Sequence, residues 1–85
     1  MVSDSTKNNF LQNFGLRLAE VRKSRGLSYR KLAQLCDLDH SYISKIEKGE
    51  ANITLETILE LMKGLNSNPK EMFSFDFRFD DHDMK

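Results

Sequence analysis

Apolar residues at Leu32, Leu35, Cys36, Leu38, Ile43 and Ile46 fall at the spacing of two short helices, each with one inward stripe. The first is predicted over residues 29–35 and the second over residues 40–48. Ser28 and Asp39 stand where side-chain oxygens cap helix N-termini, and Gly49 follows the second helix, where a left-handed residue is usually needed. Asp37 is predicted to take positive φ in the sharp turn between them, because Asp tolerates that region better than most residues.

The same reading places three more helices around this pair. Phe10, Leu11, Phe14, Leu18 and Val21 recur at helical spacing over residues 7–25, with Gly26 as the stop and Met1 to Thr6 as a frayed lead. Phe10 and Leu11 reach beyond the core, toward a partner or the C-terminal segment. Thr54 caps a fourth helix with Leu55, Ile58, Leu59, Met62 and Leu65 as its apolar face and Gly64 and Asn66 as its stop. Asn68-Pro69-Lys70-Glu71 reads as cap, N1 proline and N3 acid of a short fifth helix. Then the period changes to two, with Phe73, Phe75, Phe77 and Phe79 alternating with polar residues, which predicts an extended segment. A lone strand leaves both backbone edges unpaired. Phe75, Phe77 and Phe79 are therefore expected to pair with a second copy across a two-fold axis, the alternative being a fold back onto their own subunit. Residues 1–75 are read as one domain and residues 76–85 as an extension ending in a disordered acidic tail.

The 29–48 pair is a helix-turn-helix, and an α-helix fits the major groove of B-DNA, where every base pair shows its own donor and acceptor pattern. Outside the stripe of Ile43 and Ile46, the second helix carries His40, Ser41, Ser44, Lys45 and Lys48, all able to hydrogen-bond. His40, Ser41, Ser44 and Lys45 are the candidate base contacts. Tyr42, Lys48, Asn52, Tyr29 and Arg30 are the candidate phosphate contacts, with backbone amides around residues 52–55 forming a clamp at a helix N-terminus. The alternative is a helical hairpin whose polar face only meets water.

Leu32-Ala33 and the run Ser41-Tyr42-Ile43-Ser44-Lys45-Ile46-Glu47-Lys48-Gly49 resemble the Cro/repressor-type (Xre-like) helix-turn-helix family, over about residues 10–73. Three positions depart from the family pattern. Tyr29 replaces a glutamine that often contacts phosphate, Asp37 replaces the turn glycine, and the proline before the fourth helix is missing around Ile53. The resemblance implies an all-α, five-helix, lambda-repressor-like domain, here with a short C-terminal extended aromatic segment. It also implies an ion pair between Arg22 and Glu47, and a dimer two-fold near the start of the fourth helix. The implied function is a sequence-specific DNA-binding transcriptional regulator, a homodimer on a pseudo-palindromic site of double-stranded DNA. The family also includes restriction–modification controllers and antitoxins, and its scaffold can serve as a protein-interaction module.

Composition narrows the rest. Eighty-five residues, 39% hydrophobic and 31% charged, suit one soluble domain. With no apolar run of membrane length and no signal-peptide core, the expected location is the cytoplasm. One cysteine, Cys36, excludes an internal disulfide and reads as a small core residue. His40 and His82 are far apart and share no metal-ligand spacing, so no metal and no cofactor is expected; the Asp80-Asp81-His82-Asp83 cluster reads as solvated tail. No nucleophile motif or phosphate loop points to an enzyme, and the small chain is not expected to form a ligand pocket. Net charge is zero, but residues 17–48 hold eight basic and four acidic residues, whereas residues 76–85 hold two and four. The basic half is the helix-turn-helix, so its local field and not the net charge governs approach to an anionic partner.

Overall fold

Ser3, not a residue after Thr6, begins the structure: its side chain caps a first helix, α1, running Asp4–Ser24 in a computed structural model that describes residues 1–84. Four helices follow: α2 (Tyr29–Leu35), α3 (His40–Glu47), α4 (Leu55–Leu65) and α5 (Pro69–Met72), then a 3₁₀ turn at Asp81–Met84. Each cap is a side-chain acceptor. Ser28 takes the amide of Lys31, Asp39 that of Ser41, Thr54 that of Thr57 and Asn68 that of Glu71. These bonds satisfy amides that have no partner inside their own helix. Gly26 and Gly49 turn the chain at φ 69° and 74°, conformations that cost a residue without Cβ nothing.

The core is drawn from every helix: Phe14, Leu18 and Val21 of α1 face Leu32, Ile43, Ile46, Leu61, Leu65 and Met72, with Cys36 beside them. α1 lies on α3, and α2 packs on both α3 and α4. α4 buries Thr57, Leu61 and Leu65, one four-residue row. Leu55 and Leu59, expected in the core, are 71% and 53% exposed. A helix with apolar residues this densely placed has more than one apolar face, and Leu61 sits on the row that meets α2. Leu35 is likewise 46% exposed, its place at the α2 end being taken by Cys36.

The α2–α3 turn contains no left-handed residue. Cys36 is extended (φ −139°, ψ 169°), and the Asp37 amide donates to Glu60 Oε1 of α4 at 3.0 Å. The bend is thus spread over extended backbone and fastened from outside, so Asp37 does not need positive φ. Among the described residues that conformation outside glycine occurs only at Asn66, which ends α4. Gly64 lies inside the helix.

The two termini hold each other. The Ser3 amide and hydroxyl donate to the Asp83 carboxylate at 2.8 and 2.9 Å. The Thr6 hydroxyl donates to it as well, and accepts from the Asp80 amide. Thr6 is 3% exposed. The frayed lead and disordered tail expected from composition are therefore a mutual cap, because polar residues at one end find polar partners at the other. Lys85, also assigned to that tail, lies outside the described residues. Between these contacts the aromatic stretch forms no strand among the described residues. Phe75 and Phe77 set their rings 5.4 and 5.0 Å from that of Phe10, edge to face, and Phe79 is 48% exposed. Within the subunit, Phe10 projects past the core and offers Phe75 and Phe77 an apolar partner at short range, the fold-back that stands as the alternative to pairing of Phe75, Phe77 and Phe79 with a second copy. Beside it lies an open apolar hollow of about 500 Å³, lined by Val2, Lys7, Phe10, Leu11 and Phe77 among others.

At the far end of α1, Arg25 reaches Glu71 of α5 at 2.6 Å and the Leu65 carbonyl at 3.0 Å, while Arg17 donates to the Glu71 carbonyl at 2.7 Å. The Arg25 guanidinium, and after it the Ser67 hydroxyl, hold the Glu71 carboxyl at about 2 against an ordinary 4.5. A carboxyl depressed in the folded state adds stability that is complete above its unfolded pKa and fades as pH falls toward the folded one. The melting temperatures of the native chain and of Glu71→Gln are therefore expected to differ at pH 6 and to converge between pH 4.5 and about 2. A gap unchanged at pH 2 would mean that the carboxylate is not the source.

Candidate nucleic-acid interface

The orientation of α3 is set from behind. A Cβ at Gly15 of α1 would lie 2.5 Å from the carbonyl oxygens of Ile46 and Glu47, so the two backbones touch where no side chain fits. Arg22 then fastens the last turn of α3, donating to Glu47 at 2.6 and 3.1 Å and to the Leu27 carbonyl at 2.7 Å. The Arg22 and Glu47 side chains are 9% and 6% exposed. The bonds to Glu47 outweigh burial and raise the Arg22 pKa further above its ordinary value. One cation thereby joins α1, the α1–α2 link and α3.

With Ile43 and Ile46 fully inward, the opposite face of α3 is free. Ser41 is three and four residues from Ser44 and Lys45, and these are four and three from Lys48, so the four form a single outward stripe. Ser41, Lys45 and Lys48 are exposed, and His40 and Ser44 are half-buried at the start and middle of the helix. All four candidate base contacts thus share the face that includes Lys48. Arg30, exposed on α2, and Lys31 flank it. Among the described residues Arg30, Lys31, Lys45 and Lys48 have no carboxylate within ion-pair distance, whereas Arg22, Arg25 and Lys63 each have one. Lys7, Lys23, Lys70 and Arg78 are likewise without one among the described residues, so what marks the helix-turn-helix face is that four such cations share it.

One candidate phosphate contact is already occupied. The Tyr42 hydroxyl donates its only proton to the Asn52 carbonyl at 3.0 Å. A phosphate oxygen accepts and cannot donate, so it would have to displace that bond. The Tyr29 ring is stacked on Arg22, whose guanidinium carbon lies 4.4 Å from the ring centre. Tyr29 therefore extends the Arg22 hub, a role that spacing alone does not reveal. Asn52 is exposed ahead of α4, beside the Tyr42 tether. Phe75, Phe77 and Phe79 lie away from this face, near the start of α1.

Sequence reasoning passed over the side chain of Asp39 except as a cap. Its Oδ2 receives both the amide and the hydroxyl of Ser41, and its Oδ1 stands 3.8 Å from His40 Nδ1. Alternation of an acid with two polar residues at a helix start was the available signal. It missed the exposed Leu55–Leu59 ridge for the opposite reason: apolar residues at helical spacing read as core.

No helix among the described residues is long and apolar enough to cross a membrane. The helix-turn-helix family profile matches residues 18–72. The chain is 39% identical over 69 residues to control protein C.BamHI of Bacillus amyloliquefaciens, covering 80% of this chain and 85% of that one. The restriction-modification controller protein C.AhdI from Aeromonas hydrophila superimposes with a TM-score of 0.71 at 44% identity, over 74% of this chain and 96% of that one. The controller C.Esp1396I, solved as a tetramer with its natural 35 base-pair operator, gives 0.71 at 30% identity, over 75% and 84%. The fold is thus held in common with these controllers, and this chain belongs to the helix-turn-helix family.

Proposed function

We propose that the chain is a sequence-specific DNA-binding transcriptional regulator that acts as a homodimer in the cytoplasm. The observation that carries this is the α3 stripe, Ser41–Ser44–Lys45–Lys48 with His40 at its head, held outward by Gly15 and the Arg22–Glu47 pair. Each subunit inserts that stripe in a major groove, and the two-fold repeats it about 34–36 Å away. Lys45 suits guanine O6 and N7. Lys48, Arg30 and Asn52 suit phosphates.

The dimer is assigned to α4. Leu55 and Leu59 are exposed one turn apart, with half-buried Ile58 and Met62 on the same side. A ridge this apolar, at the helix that follows α3, is covered when a second copy meets it across the operator's two-fold. Leu59→Glu is expected to yield a monomer in sedimentation with an unchanged circular dichroism spectrum. A persistent dimer would move the interface elsewhere.

Selection of bound duplexes from a random pool tests the whole reading. Two inverted half-sites about one helical turn apart are expected, and a pool with no enriched sequence would end it. Lys45→Ala should relax preference at one base position, by roughly 1–3 kcal/mol if it makes a bidentate contact. Lys48→Ala should weaken every duplex alike and reduce the salt slope by about one. Uniform loss from both would overturn the division of roles.

A narrower reading, control of a restriction–modification system, is favoured by the similar controllers, which are matched over 85% and 96% of their own chains. Endonuclease and methyltransferase genes beside this one, with the selected operator ahead of them, are the expected result.

A further inference from the structure

We propose that Asp39 fixes the hydrogen-bonding polarity of Ser41, so that α3 offers the base in front of it a lone pair and never a proton, and selects adenine or cytosine there. The inference rests on the reading of α3 as the helix that enters the groove.

A serine hydroxyl has one proton and two lone pairs. Left to rotate, it serves any base, which is why serine alone discriminates weakly. Here it is not left to rotate. Asp39 Oδ2 accepts the Ser41 amide at 3.2 Å and also takes the hydroxyl. A carboxylate has no proton to give, so the direction of the second bond is determined: Ser41 donates. The Ser41 hydroxyl, more than any other group, holds the Asp39 carboxyl below its ordinary pKa. The acceptor thus stays charged throughout the pH range in which DNA is bound. What remains of the hydroxyl, on an exposed residue in the first turn of α3, is acceptor capacity alone.

In the major groove the donors are adenine N6 and cytosine N4. Guanine O6 and N7 and thymine O4 are acceptors. Facing either of the latter, the Ser41 oxygen would meet a lone pair with a lone pair. Asp39 is thus a positioning residue: it does not touch the base, but it decides which base Ser41 tolerates.

Asp39→Gly is the discriminating variant, because glycine replaces an N-cap at little cost in helix stability while removing the carboxylate. Ser41→Ala identifies the base position concerned, as the one whose preference it flattens. Binding to duplexes carrying each base at that position is then compared for all three proteins. The native chain is expected to favour adenine or cytosine over guanine or thymine by about tenfold on the strand Ser41 faces. In Asp39→Gly that ratio is expected to fall to about threefold or less, with preferences elsewhere in the half-site unchanged. A native preference for guanine or thymine at that position overturns the proposal. So does an Asp39→Gly protein that binds every duplex more tightly with the same preferences, since that is the loss of one negative charge near phosphates and nothing more. So does a Ser41→Ala protein whose preferences equal those of the native chain. A native chain that enriches no duplex at all defeats the underlying reading together with the inference, an outcome distinct from the other three.

Discussion

Glu47→Gln is expected to lower the unfolding free energy by about 3–5 kcal/mol, a large part of what a domain of this size possesses. The glutamine fills the same space and can still accept one bond from Arg22. It leaves the guanidinium charge, on a side chain 9% exposed, without its counterion. The remaining acceptor, the Leu27 carbonyl at 2.7 Å, is neutral. At about 4–8 °C per kcal/mol for a domain this small, the melting temperature should fall by about 12 °C or more. A shift of under about 3 °C would mean that water reaches the pair and screens it. Replacing both partners separates loss of a contact from abandonment of a charge. Arg22→Met with Glu47→Leu should recover most of the loss, because two apolar side chains of similar volume need no counterion. The double variant should still bind DNA less tightly than the native chain, since the Leu27 carbonyl and the Tyr29 ring lose the group that joins them to α1.

How much of this was legible beforehand depends on the kind of interaction. Caps are local: Ser28, Asp39, Thr54 and Asn68 each bind an amide two or three residues on, so the residue and its neighbours suffice. Core positions on α1 and α3 were also readable, because those helices bury one narrow stripe each. α4 was not. Its apolar residues cover two faces, and only the position of α2 decides that Leu61 goes in while Leu55 and Leu59 stay out. The turn failed for a related reason. Asp37 was judged on its own backbone preferences, but its amide is fastened by Glu60, a residue 23 positions away. The termini repeat the point, since nothing within ten residues of Ser3 indicates that Asp83 will cap it. The outward stripe of α3 was visible from spacing. The commitment of Tyr42 to Asn52 and of Tyr29 to Arg22 was not, because each is a contact between elements.

Gly15→Ala isolates the contact that sets the angle of α3. On helix propensity alone the change should stabilise α1 by about 1 kcal/mol. The added carbon would instead stand 2.5 Å from two backbone carbonyl oxygens and 2.8 Å from a carbonyl carbon. Backbone cannot turn aside as a side chain can, so α1 and α3 must separate by about an ångström, opening space around Phe14, Ile43 and Ile46. Overpacking of this kind costs about 1–3 kcal/mol after relaxation, and the measured sign is therefore expected to be opposite to the propensity effect. The separation also tilts the α3 stripe away from the groove it must enter and strains the Arg22–Glu47 bonds that span the same gap. Operator affinity should accordingly fall by more than tenfold even at a temperature where the variant remains fully folded. Gly26→Ala is the matched control. Its Cβ would meet nothing within 4 Å, and its φ of 69° makes the cost purely conformational, about 1–2 kcal/mol. It should lower stability without loosening the DNA complex of the protein that remains folded. Equal loss of operator affinity in both variants would mean that Gly15 acts only through stability. A Gly15→Ala protein as stable and as tightly bound as the native chain would show that the α1–α3 contact does not aim the helix.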